Sequence, residues 1–169
     1  PSRARACALT TVRVRWRCLE RALLRRIHLL AIGSLHLRAR CALAASVGSA
    51  LSPRHRREFL RSAERDARRL GREGAPWGLP LATLLRAGIA SLRGDPDLAV
   101  SELSRAETSF DATKMALYAA AARRCRGLLV GGETGRGLVE AADSWMRGEL
   151  IRNPERMTAM VAPGRWESR

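Results

Sequence analysis

Lysine is almost missing from this chain: Lys114 stands alone among 31 basic side chains, and the rest are arginine. Aromatic residues are also scarce, at 4%. An interior must therefore be built from Ala and Leu, which suits closely packed helices and leaves few large side chains for a sheet sandwich. Strand-like alternation occurs only where Val12, Val14 and Trp16 interleave with Arg13, Arg15 and Arg17. Cys7, Cys18, Cys41 and Cys125 form no C-x-x-C pair, which excludes a zinc ribbon or a redox motif. Free thiols and a cytoplasmic location are expected. His28, His36 and His55 are isolated and read as surface or packed histidines, not ligands. No Ser or Cys pairs with a His and no two carboxylates are set for acid–base work, so the chain is expected to be no enzyme and to need no cofactor or metal. The apolar run Leu29 to Leu35 falls far short of the roughly 20 residues a membrane span requires.

What is present is enough for one helical domain. The chain has 169 residues, 46% of them apolar, which allows a core of useful size. Its formal net charge of +15 is uneven: residues 1–70 hold 17 arginines against Glu20, Glu58, Glu64 and Asp66, whereas residues 71–169 are nearly balanced. A pI near 11.6 invites a nucleic-acid reading. The Arg-for-Lys bias is equally what GC-rich codon usage produces. No Met precedes Pro1, and the chain opens on arginine-rich sequence without a capped start, which predicts a piece cut from a longer polypeptide.

Two divisions follow from the patterning. Residues 1–34 are a poorly patterned, helix-like segment, superficially similar to a transit peptide. Residues 35–169 carry regular helical signals. Leu35, Ala39, Ala42 and Leu43 share one side of a helix closed by Val47-Gly48, and Ser52-Pro53 opens the next, whose apolar face is Phe59, Leu60, Ala63, Ala67 and Leu70. After Gly74-Ala75-Pro76, a third helix groups Leu81, Leu84, Leu85, Gly88, Ile89 and Leu92. Asp95-Pro96 starts a fourth through Phe110. A fifth covers Lys114 to Val130, a sixth Thr134 to Leu150, and Asn153-Pro154 opens a short cap with Met157, Met160 and Val161.

Ala99, Leu103 and Ala106 stand at spacings 0, 4 and 7, and Ala141, Trp145 and Gly148 repeat them. That code marks the second helix of a tetratricopeptide-type hairpin, where small residues let the next helix approach. The fold expected is therefore all-α, a tetratricopeptide-like α-α superhelix of stacked hairpins with a short C-terminal capping helix. The 42 residues from Ala99 to Ala141 exceed the 34 of a strict repeat, so the repeats are degenerate.

Three local features bear on function. Opposite the apolar face of the second helix, Arg54, Arg57, Arg61, Arg65, Arg68 and Arg72 form a basic face. It suits a phosphate backbone, an acidic partner or an anionic membrane surface. It also suits plain solvation, since Glu64–Arg68 and Asp66–Arg69 are spaced for ion pairs. Few aromatics interleave with these arginines, so base stacking lacks its platforms. Gly131 to Gly137 resembles a phosphate loop only in glycine content: Arg136 replaces the Lys-Ser/Thr that a P-loop needs, and a flexible helix–helix turn is expected. Asp95 and Asp97 flank Pro96 at a helix start, where capping accounts for them.

Residues 77–163 carry a resemblance. Pro76-Trp77-Gly78, Leu84-Leu85-Arg86-Ala87-Gly88, Leu92-Arg93-Gly94-Asp95, Met115 to Arg124, and the run Trp145 to Gly164 resemble the tail of large bacterial, myxobacteria-like proteins. In that family a serine/threonine protein kinase or ATPase module is followed by degenerate tetratricopeptide repeats. The resemblance implies a non-catalytic regulatory tail that binds a protein or peptide. No kinase signature is present in this chain. The groove formed by the first helix of each hairpin is the expected site, lined by Arg86, Arg93, Tyr118, Arg123 and Arg126. Nucleic-acid binding through residues 54–72, and self-association through the amino-terminal edge, stand as alternatives.

Overall fold

The computed structural model describes residues 28–48 and 52–167. Among them are seven helices and no strand: α1 His28–Val47, α2 Pro53–Leu70, α3 Gly78–Arg93, α4 Pro96–Ala112, α5 Ala116–Val130, α6 Gly132–Gly148 and α7 Pro154–Val161. The alternating segment at Val12 to Arg17, Cys7 and Cys18 lie outside the described residues. The division expected at 34/35 falls inside α1, which is continuous from His28.

Consecutive helices pair as α1 with α2, α3 with α4 and α5 with α6, and the pairs stack through α2 on α3 and α4 on α5. The result is an all-α superhelical stack of three hairpins. Three of its helix starts are set by residues read from sequence. The Ser52 hydroxyl accepts from the His55 amide, Asp95 Oδ1 from Leu98 N at 3.1 Å, and Asn153 Oδ1 from Arg156 N at 2.8 Å. Each cap precedes a proline at the first helical position, where a missing amide costs nothing.

The core is aliphatic and small. Ile32, Leu35, Ala39 and Leu43 of α1 meet Leu60, Ala63, Ala67 and Leu70 of α2 and the almost wholly buried α3. Ala99, Leu103, Ala106 and Phe110 of α4 then pack toward Ala119 to Ala122 and Cys125 of α5. The Cys125 thiol is fully buried, and burial pushes its pKa far up.

Helix α6 departs from expectation in two ways. Its buried positions are Gly135, Ala142 and Met146, whereas Ala141 and Gly148 are exposed and Trp145 is half-buried. The small-residue code seen in α4 is thus one residue out of register in α6. Nor is Gly131–Gly137 a flexible turn: Gly131 and Gly132, with positive φ of 65° and 60°, make the bend, and the helix begins at Gly132. The buried glycines serve a close crossing. A Cβ at Gly127 of α5 would stand 2.6 Å from the Gly135 carbonyl oxygen, so α5 and α6 touch backbone to backbone.

Candidate interaction surface

Among the described helices, α2 has the strongest amphipathic division. Leu60, Ala63, Asp66, Ala67 and Leu70 are buried against α1 and α3. Arg54, Arg57, Arg61, Arg65 and Arg68 on its other side, and Arg72 just beyond its end, are all exposed. Arg54 lies 3.5 Å from Glu58, and Arg68 lies 2.7 Å from Glu64. Arg57, Arg61, Arg65 and Arg72 carry no acidic partner among the described residues.

Of the two local ion pairs expected on this helix, Glu64–Arg68 forms. Asp66 instead turns inward and is clasped by both Arg38 nitrogens from α1, with Nε at 2.7 Å from Oδ2. It shares the buried face with Ala63 and Leu70, while Arg69 points to solvent. Spacing along the helix gave the apolar face of α2 but could not tell that a carboxylate on it would be met by an arginine from α1.

The five residues expected in one groove divide between two seams. Arg93 of α3 reaches Glu64 of α2 at 2.9 Å, and the Arg86 guanidinium lies beside Gly71 at the end of α2, 3.4 Å from where a Cβ there would stand. Arg123 and Arg126 of α5 both reach Glu107 of α4, at 2.7 and 2.9 Å. Tyr118 turns inward, stacked on Phe110 with ring centroids 5.2 Å apart and 5.9 Å from His36 of α1. Arg86 and Arg93 thus extend the basic face of α2, and Glu64 is the carboxylate at their junction. The Arg93 hydrogen bond, with Arg68 beside it, holds the Glu64 carboxyl below its ordinary pKa.

The face made by the first helices, α1, α3 and α5, has an occupant. Residues 154–166 lie across it: α7 packs on α5, the Arg40 guanidinium of α1 donates to the Met160 carbonyl, and the Arg165 amide donates to Ser91 Oγ of α3 at 3.0 Å. A Cβ at Gly88 would stand 2.6 Å from the Pro163 carbonyl oxygen, so only glycine lets the chain pass there. Val161, Ala162, Pro163 and Trp166 are buried, and Trp166 Nε1 donates back to the Ala162 carbonyl at 2.9 Å. Arg40, Gly88 and Ser91 were not legible as site residues. The available signal was Gly88, a glycine retained inside a helix at a cost of about 1 kcal/mol relative to Ala.

Among the described residues no cluster of His, Cys, Asp or Glu is arranged to hold a metal ion, and no helix is long and apolar enough to cross a membrane. No protein-family model matches the chain, and no curated protein or solved structure does.

Proposed function

We propose that this chain is a non-catalytic interaction module that grips an acidic segment of a partner protein on the joint face of α2 and α3. The observation that supports it is the run of exposed guanidiniums at Arg57, Arg61, Arg65, Arg68 and Arg72, continued by Arg86 and Arg93 and outnumbering the carboxylates of Glu58 and Glu64. Guanidiniums fork onto carboxylates with two parallel hydrogen bonds, which makes Arg, more than Lys, a reader of Asp and Glu side chains. By the resemblance noted above, the module serves in the cytoplasm as the regulatory tail of a bacterial serine/threonine kinase signalling protein.

The test is fluorescence anisotropy with a labelled 20-residue acidic peptide and, separately, a labelled 20-base-pair DNA duplex. Replacing Arg61 and Arg65 together by Glu is expected to weaken the peptide at least tenfold with unchanged helical circular dichroism. The exposed control Arg136→Glu should leave binding intact. Tighter capture of the duplex, with a steep loss on adding salt, would favour the nucleic-acid reading instead.

A second reading, self-association through the amino-terminal edge, has its own support. Leu30 and Leu37 are 44% and 50% exposed on one side of α1, with open space at Gly33 between them. Under that reading Leu37→Arg should convert a dimer to a monomer in sedimentation velocity, and a wild-type chain that is already monomeric sinks it.

A further inference from the structure

The segment 154–167 is held in the manner of a bound peptide. Two of its contacts to the stack are made by its own main chain: the Met160 carbonyl receives Arg40, and the Arg165 amide gives to Ser91. Gly88 supplies a backbone-close channel, and Pro163 and Trp166 supply buried anchors. Backbone hydrogen bonds with spaced side-chain anchors are how grooves recognise extended peptides.

The segment does not saturate its groove. His36 Nε2 on α1 and Thr158 Oγ1 on α7 are buried with no hydrogen-bond partner. Where the chain leaves the groove, a cavity of about 630 Å³ opens between the end of α3, the start of α4 and the end of α5, bordered by Ser91, Asp97, Leu129, Val130 and Arg165. The tether is short and meets the stack at Ile151, which packs against the core. Gly148 to Leu150 are exposed, and Leu150 adopts a left-handed φ of 61°.

We propose that the face of α1, α3 and α5 is a peptide site carrying its own internal occupant, and that a partner protein takes it by presenting the same chemistry in trans. That chemistry is a short helix running into an extended apolar–Pro–Gly stretch with an aromatic residue two positions beyond the glycine. This site is distinct from the basic face of α2 and does not depend on it. The occupant acts as a tethered competitor. A short linker gives it an effective concentration of about millimolar, so a partner segment must match the tail's contacts and add others, in the cavity or at His36, to displace it.

The experiment inserts a specific protease site after Leu150 in the otherwise complete chain and follows a fluorescein-labelled synthetic peptide of residues 152–167 by anisotropy. Cutting removes the tether while every residue stays in the tube. The cut chain is expected to keep its helical circular dichroism and to take up the labelled peptide at least a hundredfold more tightly than the uncut chain. A peptide carrying Trp166→Ala should bind at least tenfold more weakly. Loss of helical signal on cutting, or no exchange of the cut segment within a day, would show that residues 154–167 are core and overturn the proposal. Equal affinity of cut and uncut chains would overturn it by locating the peptide elsewhere. A doubled mass of the uncut chain with its segment fully protected would replace the separate partner by a second copy of this chain.

Discussion

Asp66 is 1% exposed, and its charge is tolerated only because Arg38 crosses from α1 to meet it with two hydrogen bonds. Replacing Asp66 by Ala removes both of these hydrogen bonds from the Arg38 guanidinium, and breaking a buried ion pair typically costs about 3–5 kcal/mol. Urea unfolding of Asp66→Ala should show a loss near the lower end, since the Arg38 side chain keeps some contact with water. A loss under 1 kcal/mol would mean that Arg38 simply rotates out. His36 is a different case of buried polarity. Burial, helped by the Arg40 charge, lowers its pKa to about 3 from an ordinary value near 6.5. Between those values the unfolded chain binds a proton that the folded chain refuses, so this group's contribution to stability falls as pH drops from about 6.5 toward 3. The slope is at most about 1.4 kcal/mol per pH unit. His36→Phe, placed against the Tyr118 ring, should therefore be less sensitive to a change from pH 7 to pH 5 than the wild type. Equal sensitivity in urea titrations at the two pH values would refute the assignment. Neither residue's role was legible in the sequence, because a position along one helix does not say what crosses from another.

At the scale of the element, the local signals were legible and the contacts between helices were not. Ser52, Asp95 and Asn153, each followed by proline, marked three helix starts correctly because capping is a property of four adjacent residues. The buried faces of α1 to α3 also followed from periodicity alone. Helix α6 did not, because its register is set by a glycine on another helix. Gly127 and Gly135 meet backbone to backbone, and that pulls Ala142 and Met146, not Ala141 and Gly148, into the interior. The two kinds of glycine make opposite predictions for one substitution. Gly137 is exposed on α6 with nothing near the position of a Cβ, so Gly137→Ala should stabilise by about 0.5–1 kcal/mol through helix propensity alone. Gly127→Ala makes the same propensity gain but drives a methyl into the Gly135 carbonyl, and overpacking of this kind costs about 1–3 kcal/mol. Thermal unfolding of the two variants should move Tm in opposite directions. Two upward shifts would show that α5 and α6 separate freely.

For the whole molecule, the basic face and the closing segment have different origins. The charge asymmetry and the arginine spacing of α2 were readable as a surface, but the fold alone joined Arg86 and Arg93 to it and assigned Arg123 and Arg126 to Glu107. A stack of hairpins is held by nearest-neighbour contacts, so its ends ordinarily open independently. Here the chain returns on itself: Arg40 and Met160 are 120 residues apart, and Gly88, Ser91 and Trp166 seal the return across the middle hairpin. That closure couples the first hairpin to the last. Trp166→Ala removes the buried indole and the bond from its Nε1 to Ala162, a change worth about 3–5 kcal/mol when an aromatic is fully buried and less at a rim position. Part of that loss should be felt far from the substitution. In native-state hydrogen exchange, amides of α1 are expected to lose protection together with those of α7, while α1 remains helical on its contacts with α2. If the loss stays confined to α5, α6 and α7, the return of the chain is a local cap and the two ends of the stack are energetically independent.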